Sequence, residues 1–254
     1  MKTILITGAS SGIGKATAQL FNQKGWNVIA TMRSPEKEGE LSKLENVLVS
    51  KLDVLNLESI NETISKGIEK FGKIDALVNN AGYGAYGPLE AFPRENMVNQ
   101  FNTNVIGLLD VTRAIIPHFR ANKSGTIVNI SSISSLLISN ESPSYQISKS
   151  AINHMTRYFA SQAGKKGIFI NSVLPGLIIK DEHKKKYLSK KNAKYRNIVK
   201  KTHLTNRFGT IDDVNKVVNF LLFENNDFIN GQSIVVDGGV SIEDQFATAH
   251  REFG

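Results

Sequence analysis

Thr3-Ile4-Leu5-Ile6-Thr7-Gly8-Ala9-Ser10-Ser11-Gly12-Ile13-Gly14 begins as a short apolar run, breaks into three glycines within seven residues, and leads into an amphipathic stretch. An apolar run bounded by glycine predicts a buried strand. A glycine turn that opens directly into a helix presents free backbone N–H groups and the positive end of the helix dipole at the carboxyl end of that strand. Glycine permits the tight turn and lets a ligand approach the backbone closely. Strand, turn and helix together form the opening unit of a doubly wound α/β fold, whose usual ligand is a dinucleotide seated by its pyrophosphate. The spacing here is G-x-x-x-G-x-G and not G-x-G-x-x-G, so the reading rests on the strand-turn-helix context and not on the pattern alone. Gly8, Ser10, Ser11, Gly12, Ile13 and Gly14 are the candidate contacts.

Working outward, apolar β-branched runs recur at 3–7, 27–32, 47–52, 76–79, 126–130, 168–174 and 233–236. Amphipathic stretches at about 13–24, 57–71, 95–120, 144–165 and 212–223 fall between them. This alternation predicts seven parallel strands flanked by helices, a Rossmann-type α/β fold in one dinucleotide-binding and catalytic domain spanning 1–254. No apolar run reaches the roughly 20 residues needed to span a bilayer, and Ile4-Leu5-Ile6 is too short for a signal-peptide core; a cytoplasmic protein with no membrane partner is expected. With no cysteine, a disulfide framework and thiolate chemistry are excluded and no metal site is expected, so redox work must belong to a bound cofactor. The net charge of +8 is concentrated in one place. Residues 180–201 carry ten Lys or Arg against Asp181 and Glu182, leaving 21 basic and 21 acidic residues elsewhere. A nucleic-acid binder would spread basic residues over a face with interleaved aromatics, so no nucleic-acid partner is expected. The stretch reads instead as a helical or mobile insertion with a solvated charged side, with Tyr187, Leu188, Tyr195, Ile198 and Val199 spaced to pack inward.

The end of the second strand selects between dinucleotides. An acidic residue there would accept hydrogen bonds from the adenosine ribose. Val28-Ile29-Ala30-Thr31-Met32-Arg33-Ser34 carries no carboxylate, and the Arg33 guanidinium suits a 2′-phosphate. NADP(H) is therefore favoured, with NAD(H) as the alternative. Farther along, Tyr145 and Lys149 stand four residues apart and share a helix face, which lets an ammonium favour the ionised phenol and poise it for proton exchange with an alcohol or carbonyl oxygen. Tyr187 and Lys191 repeat that spacing. They are read as a decoy, because Ser132 lies thirteen residues before Tyr145 at the end of an apolar strand, whereas Leu174 holds that offset from Tyr187.

The glycine turn, Asp53-Val54, Asn79-Asn80-Ala81-Gly82, Asn104-Val105-x-Gly107, Asn129-Ile130-Ser131-Ser132, Tyr145-x-x-x-Lys149, Pro175-Gly176 and Asp237-Gly238-Gly239 occur in order along nearly the whole chain. In these motifs the chain resembles the short-chain dehydrogenases/reductases. The resemblance implies hydride transfer between a nicotinamide and a carbonyl or alcohol substrate, a catalytic tetrad of Asn104, Ser132, Tyr145 and Lys149, and a homodimer or homotetramer. It further implies that Lys149 bonds the nicotinamide ribose and that Asn104 holds a water. Asp53 and Val54 would flank the adenine, Asn80, Ala81 and Gly82 would pass beneath the cofactor, and Pro175 and Gly176 would lie beside the nicotinamide. Two positions depart from the family pattern: Lys180 stands where a threonine is usual, and Ser135 where many relatives have glycine. The basic segment, at about 178–206, falls where the family places a lid over the substrate. It is either a landing site for an anionic or carrier-bound substrate, such as a 3-oxoacyl thioester, or a solvated helical face. Tyr83, Tyr86 and Leu136 to Ile138 are candidates for an apolar pocket. A dinucleotide-sensing regulatory protein on the same fold is the alternative to an enzyme, as is a substrate-binding protein using 180–201.

Overall fold

A computed structural model of the chain describes residues 1–223 and 226–253. Seven parallel strands form one sheet: β1 (Thr3–Ile6), β2 (Asn27–Met32), β3 (Val47–Lys51), β4 (Ala76–Asn79), β5 (Gly125–Ile130), β6 (Ile168–Pro175) and β7 (Ser233–Val236), in the order β3-β2-β1-β4-β5-β6-β7. The chain reverses its direction of travel across the sheet between β1 and β4, and parallel strands bring every strand-to-helix turn to one edge. A crevice outside the carboxyl ends at that reversal is where this architecture places ligands.

Alternation along the strands divides the core in two. Ile4, Ile6, Val28, Ala30 and Val128 face one layer, in which Ala18 and Phe21 of helix α1 (Gly12–Gln23) and Val214, Val218 and Leu221 of α8 (Ile211–Phe223) are buried. Leu5, Ile29, Leu77 and Ile127 face the other, with Ile60 and Ile64 of α2 (Leu57–Phe71), Val111, Ile115 and Phe119 of α4 (Gly107–Asn122) and Ala160 of α5 (Pro143–Ala163). Each such side chain contributes roughly 1.5–3 kcal/mol on burial, so the sheet that positions the site is the stable part of the molecule. The acidic start expected near 212 is a reciprocal cap: Thr210 N donates to Asp213 Oδ2 at 2.9 Å and Asp213 N to Thr210 Oγ1 at 3.4 Å.

Two expectations need correction. The helix read as continuous over 95–120 is α3 (Arg94–Phe101) and α4 joined by a π-turn at Asn102–Ile106. That bulge contains Asn104, and hydrophobic periodicity could not register it. The basic segment is helical, with α6 (Asp181–Leu188) and α7 (Ala193–Thr202). Of its five apolar residues, however, only Tyr187 and Val199 are buried; Leu188, Tyr195 and Ile198 are about half exposed. The chain ends in α9 (Gln245–Phe253). No described helix is long and apolar enough to cross a membrane.

Candidate active site

The glycine turn is close-packed where it meets the β4 loop. A Cβ on Gly8, whose φ is +68°, would stand 2.9 Å from Ala81 Cα, and one on Gly14 would stand 2.4 Å from Gly8 O. Neither position admits a side chain. Thr7 and Asn80 fasten the two loops. Asn80 Nδ2 donates to Thr7 O and Gly8 O, both at 3.0 Å, while Asn80 N and Ala81 N both donate to Thr7 Oγ1 at 3.0 Å. Ser11, at the N-cap of α1, makes no capping bond, and the first turn carries no acid. The helix therefore presents uncapped N–H groups beside exposed Ser10 and Ser11 and a partly open Gly12, while Ile13 turns onto the core. This cradle fits a dinucleotide diphosphate.

Along the same edge, Arg33 follows β2 and is exposed. Asp53 is held by its own turn, its Oδ1 accepting Leu55 N at 3.0 Å, and Val54 is buried against Gly107, where a Cβ would meet Val54 Cγ2 at 2.6 Å. Pro175 closes β6, and Gly176 N donates to Val236 O at 2.9 Å. Gly176 lies against Asp237, which in turn accepts Gly239 N and Ser241 N.

Ser132, Tyr145 and Lys149 meet where β5 runs out. Ser132 is extended and buried, its Oγ accepting Ser134 N at 3.1 Å. Ser142 caps α5 with Pro143 at its first position, which sets Tyr145 in the first turn and Lys149 one turn on, facing β5. Lys149 is 7% exposed; its Nζ donates to Ile130 O at 2.9 Å and lies 5.7 Å from the centre of the Tyr145 ring. Ser131 Oγ donates to Lys149 O at 3.0 Å, pinning the helix to the strand. Burial lowers the Lys149 ammonium to a pKa of about 8.

The tyrosine departs from expectation. Burial is the largest influence on Tyr145 and pushes its phenol above the ordinary value; the hydrogen bond with Ser132 opposes this, and the Glu141 carboxylate adds to it. A lysine whose own charge is disfavoured by burial does not offset the desolvation of the phenol.

Asn104 is positioned by the π-turn. Tyr83 N donates to its Oδ1 at 3.0 Å, and its Nδ2 donates to Tyr83 O at 2.9 Å and to Ser148 Oγ at 3.3 Å. Ser148 Oγ donates to Tyr145 O at 2.7 Å, so Asn104 is linked to the turn of α5 that carries the tyrosine. Gly82 packs closely on that side, where a Cβ would stand only 2.9 Å from Asn104 Oδ1. Tyr187 and Lys191 do not share a helix: α6 stops at Leu188, Ser189 is extended, and Tyr187 packs edge-on against Phe208 with ring centres 4.6 Å apart. Ser135, at the usual glycine position, turns inward, donating to Ser132 O at 2.6 Å and accepting Asn153 Nδ2 at 2.7 Å.

Sequence reasoning overlooked several supports. Gln100 on α3 accepts from Ser142 and Ser144 and donates to Tyr83 O, tying the front of α5 to the loop over the site. Tyr86 bridges to Glu141 and helps push up the phenols of both Tyr145 and, on α7, Tyr195. A lone glutamine and a half-buried glutamate carry no motif that would single them out.

A family model described as enoyl-(acyl carrier protein) reductase matches residues 8–241. The chain is 35% identical over 246 residues to 3-oxoacyl-(acyl-carrier-protein) reductase FabG of Thermotoga maritima, covering 95% of this chain and 98% of that one. It is 32% identical to 7alpha-hydroxysteroid dehydrogenase of Bacteroides fragilis, covering 95% of each. Among solved structures, ElxO with NADP bound superposes with a TM-score of 0.88 at 35% identity, covering 95% of this chain and 99% of that one. Gluconate 5-dehydrogenase from Burkholderia cenocepacia, solved with NADP and tartrate, superposes with a TM-score of 0.86 at 27% identity, covering 96% of each chain. The chain therefore belongs to the short-chain dehydrogenase/reductase family of NAD(P)-dependent oxidoreductases.

Proposed function

We propose that this protein is an NADP(H)-dependent carbonyl reductase or alcohol dehydrogenase in which Tyr145 handles the proton. The observation that carries this reading is the buried Lys149, held by Ile130 O beneath the Tyr145 ring with Ser132 at the same strand end. A bound nicotinamide supplies or receives the hydride. Tyr145 gives its proton to the substrate oxygen in reduction and takes it back in oxidation. A phenol raised by burial holds its proton at neutral pH until the substrate oxygen takes up charge. Ser132 donates a hydrogen bond to that oxygen as charge develops on it. Lys149 bonds the nicotinamide ribose, and Asn104 holds a water linking Lys149 to solvent. Gly8 to Gly14 seat the diphosphate, Arg33 takes the 2′-phosphate, Asp53 and Val54 flank the adenine, Asn80, Ala81 and Gly82 run beneath the cofactor, and Pro175 and Gly176 lie beside the nicotinamide. The NADP complexes of ElxO and the gluconate dehydrogenase, and the absence of a carboxylate at the end of β2, support NADP(H) over NAD(H).

The substrate class we favour is a 3-oxoacyl thioester or similar ketone presented by an acidic carrier. The FabG relative and the exposed lysines of α6 and α7 support it. Ile147 and Tyr158, apolar and more than half exposed on α5, support assembly into a homodimer or homotetramer. The deciding experiment is titration with NADPH and NADH, followed by ketone turnover by wild type and Tyr145→Phe. Tight NADPH binding with turnover lost in the variant establishes the reading; binding of neither dinucleotide overturns it.

A further inference from the structure

Lys180 begins α6 five residues beyond Pro175, and the backbone on both sides of it is fixed. Ahead of it, Ile178 forms a parallel bridge with Gly209, Gly209 N donates to Leu177 O at 3.1 Å, and Ile179 N donates to Gly209 O at 3.0 Å. Behind it, Lys180 O accepts His183 N at 2.9 Å as the helix starts. From this anchor the side chain reaches over the glycine turn. A Cβ on Gly12 would find Lys180 Cε at 3.3 Å, Cδ at 3.5 Å and Nζ at 3.6 Å as its nearest neighbours.

This arrangement sets two positive features face to face. The start of α1 is the positive end of a helix dipole, with no side-chain cap and no acid in its first turn. The Lys180 ammonium adds a full charge beside it, and among the described residues the carboxylate paired with that ammonium, Glu182 Oε1, is 4.0 Å away with both side chains about half in solvent. An exposed pair of that kind contributes little. Lysine over an uncapped helix start is stable in place when an anion lies between them.

We infer that Lys180 is a phosphate-binding residue, its ammonium pairing over Gly12 with the diphosphate of the bound dinucleotide and tying the start of the basic segment to cofactor occupancy. This rests on the dinucleotide reading above. A threonine at this position would offer the diphosphate an uncharged donor, whereas this chain brings it a positive charge.

The test is fluorescence titration of the intact protein with NADPH, and with 2′-AMP, which lacks the diphosphate, using wild type, Lys180→Met and Lys180→Arg, with thermal melts to check folding. The expected result is a Kd for NADPH raised about ten- to a hundredfold in Lys180→Met, largely restored in Lys180→Arg, with 2′-AMP affinity unchanged. Wild-type affinity for NADPH in a folded Lys180→Met variant overturns this inference while leaving the reductase reading intact. Equal weakening of both ligands also overturns it, because Lys180 would then act through the fold. Failure of the wild type to bind NADPH or NADH is the separate failure of the functional reading.

Discussion

Lys149 and the lysines of α6 and α7 are the same residue type in opposite settings. Lys149 is 7% exposed, held by Ile130 O, and lowered by burial to a pKa of about 8. Lys184, Lys185 and Lys186 of α6 and Lys194 and Lys200 of α7 stand in solvent on two short helices. The first arrangement is costly to fold, and only a core as large as the two layers on this sheet can hold it. The second costs almost nothing and can be varied without touching the core. In the proposed function, reaction chemistry belongs to the costly lysine and choice of partner to the inexpensive ones.

The strongest attempt to break this comparison is Tyr145→Phe. The variant keeps the ring over Lys149 and removes the proton, so turnover should fall about 10²–10⁴-fold with the NADPH titration curve unchanged. Retained turnover would move the chemistry away from the buried edge. Next is Lys149→Met, which should abolish activity and yet stabilise the folded protein. Lowering an ammonium from 10.5 to about 8 costs the native state roughly 3 kcal/mol at neutral pH, with the loss of a partner for Ile130 O taking back part of the gain. Well below about pH 8 the lysine is charged both folded and unfolded, and the full cost applies. Between about pH 8 and 10.5 the folded form has lost its proton while the unfolded form keeps it, so wild-type stability rises with pH and the gap to the variant closes. Urea melts at pH 7 and pH 10 read this directly; a gap that stays constant would mean Lys149 is not strained by burial. Smaller again is Thr7→Val, which leaves Asn80 N and Ala81 N without their acceptor and should cost about 1–3 kcal/mol, seen as a lower urea midpoint with unchanged slope.

The parts of this architecture written in short-range pattern were legible in the sequence. The strands at 27–32, 76–79 and 233–236 have the expected bounds, because an apolar run ending in a turn residue has no competing solution. The pairing of Tyr145 with Lys149 and the rejection of Tyr187 with Lys191 followed from what preceded each pair. Three features were not legible. The π-turn at Asn102–Ile106 changes the hydrogen-bond register by one residue inside a pattern that still looks helical. The direction of the Tyr145 shift is decided by desolvation, which spacing does not report. The network from Gln100 through Ser142 and Ser144 joins residues more than forty positions apart, and no local rule connects them.

The smallest expected effect lies in the basic helices. Replacing Lys184, Lys185 and Lys186 together by Gln removes three exposed charges, so stability should stay within about 0.5 kcal/mol. Long-range attraction between exposed charges is screened within roughly 10 Å at 0.1 M salt. The triple variant should therefore show a raised KM for a ketone carried on an acidic protein at low ionic strength, with kcat unchanged, and should converge with wild type as salt is added. A small neutral ketone should be turned over identically by both. Equal loss on both substrates would mean that these lysines shape the mouth around Tyr86 and Tyr195 and do not merely attract what enters it. The proposed division between a costly buried lysine and inexpensive recruiting ones would then fail at α6.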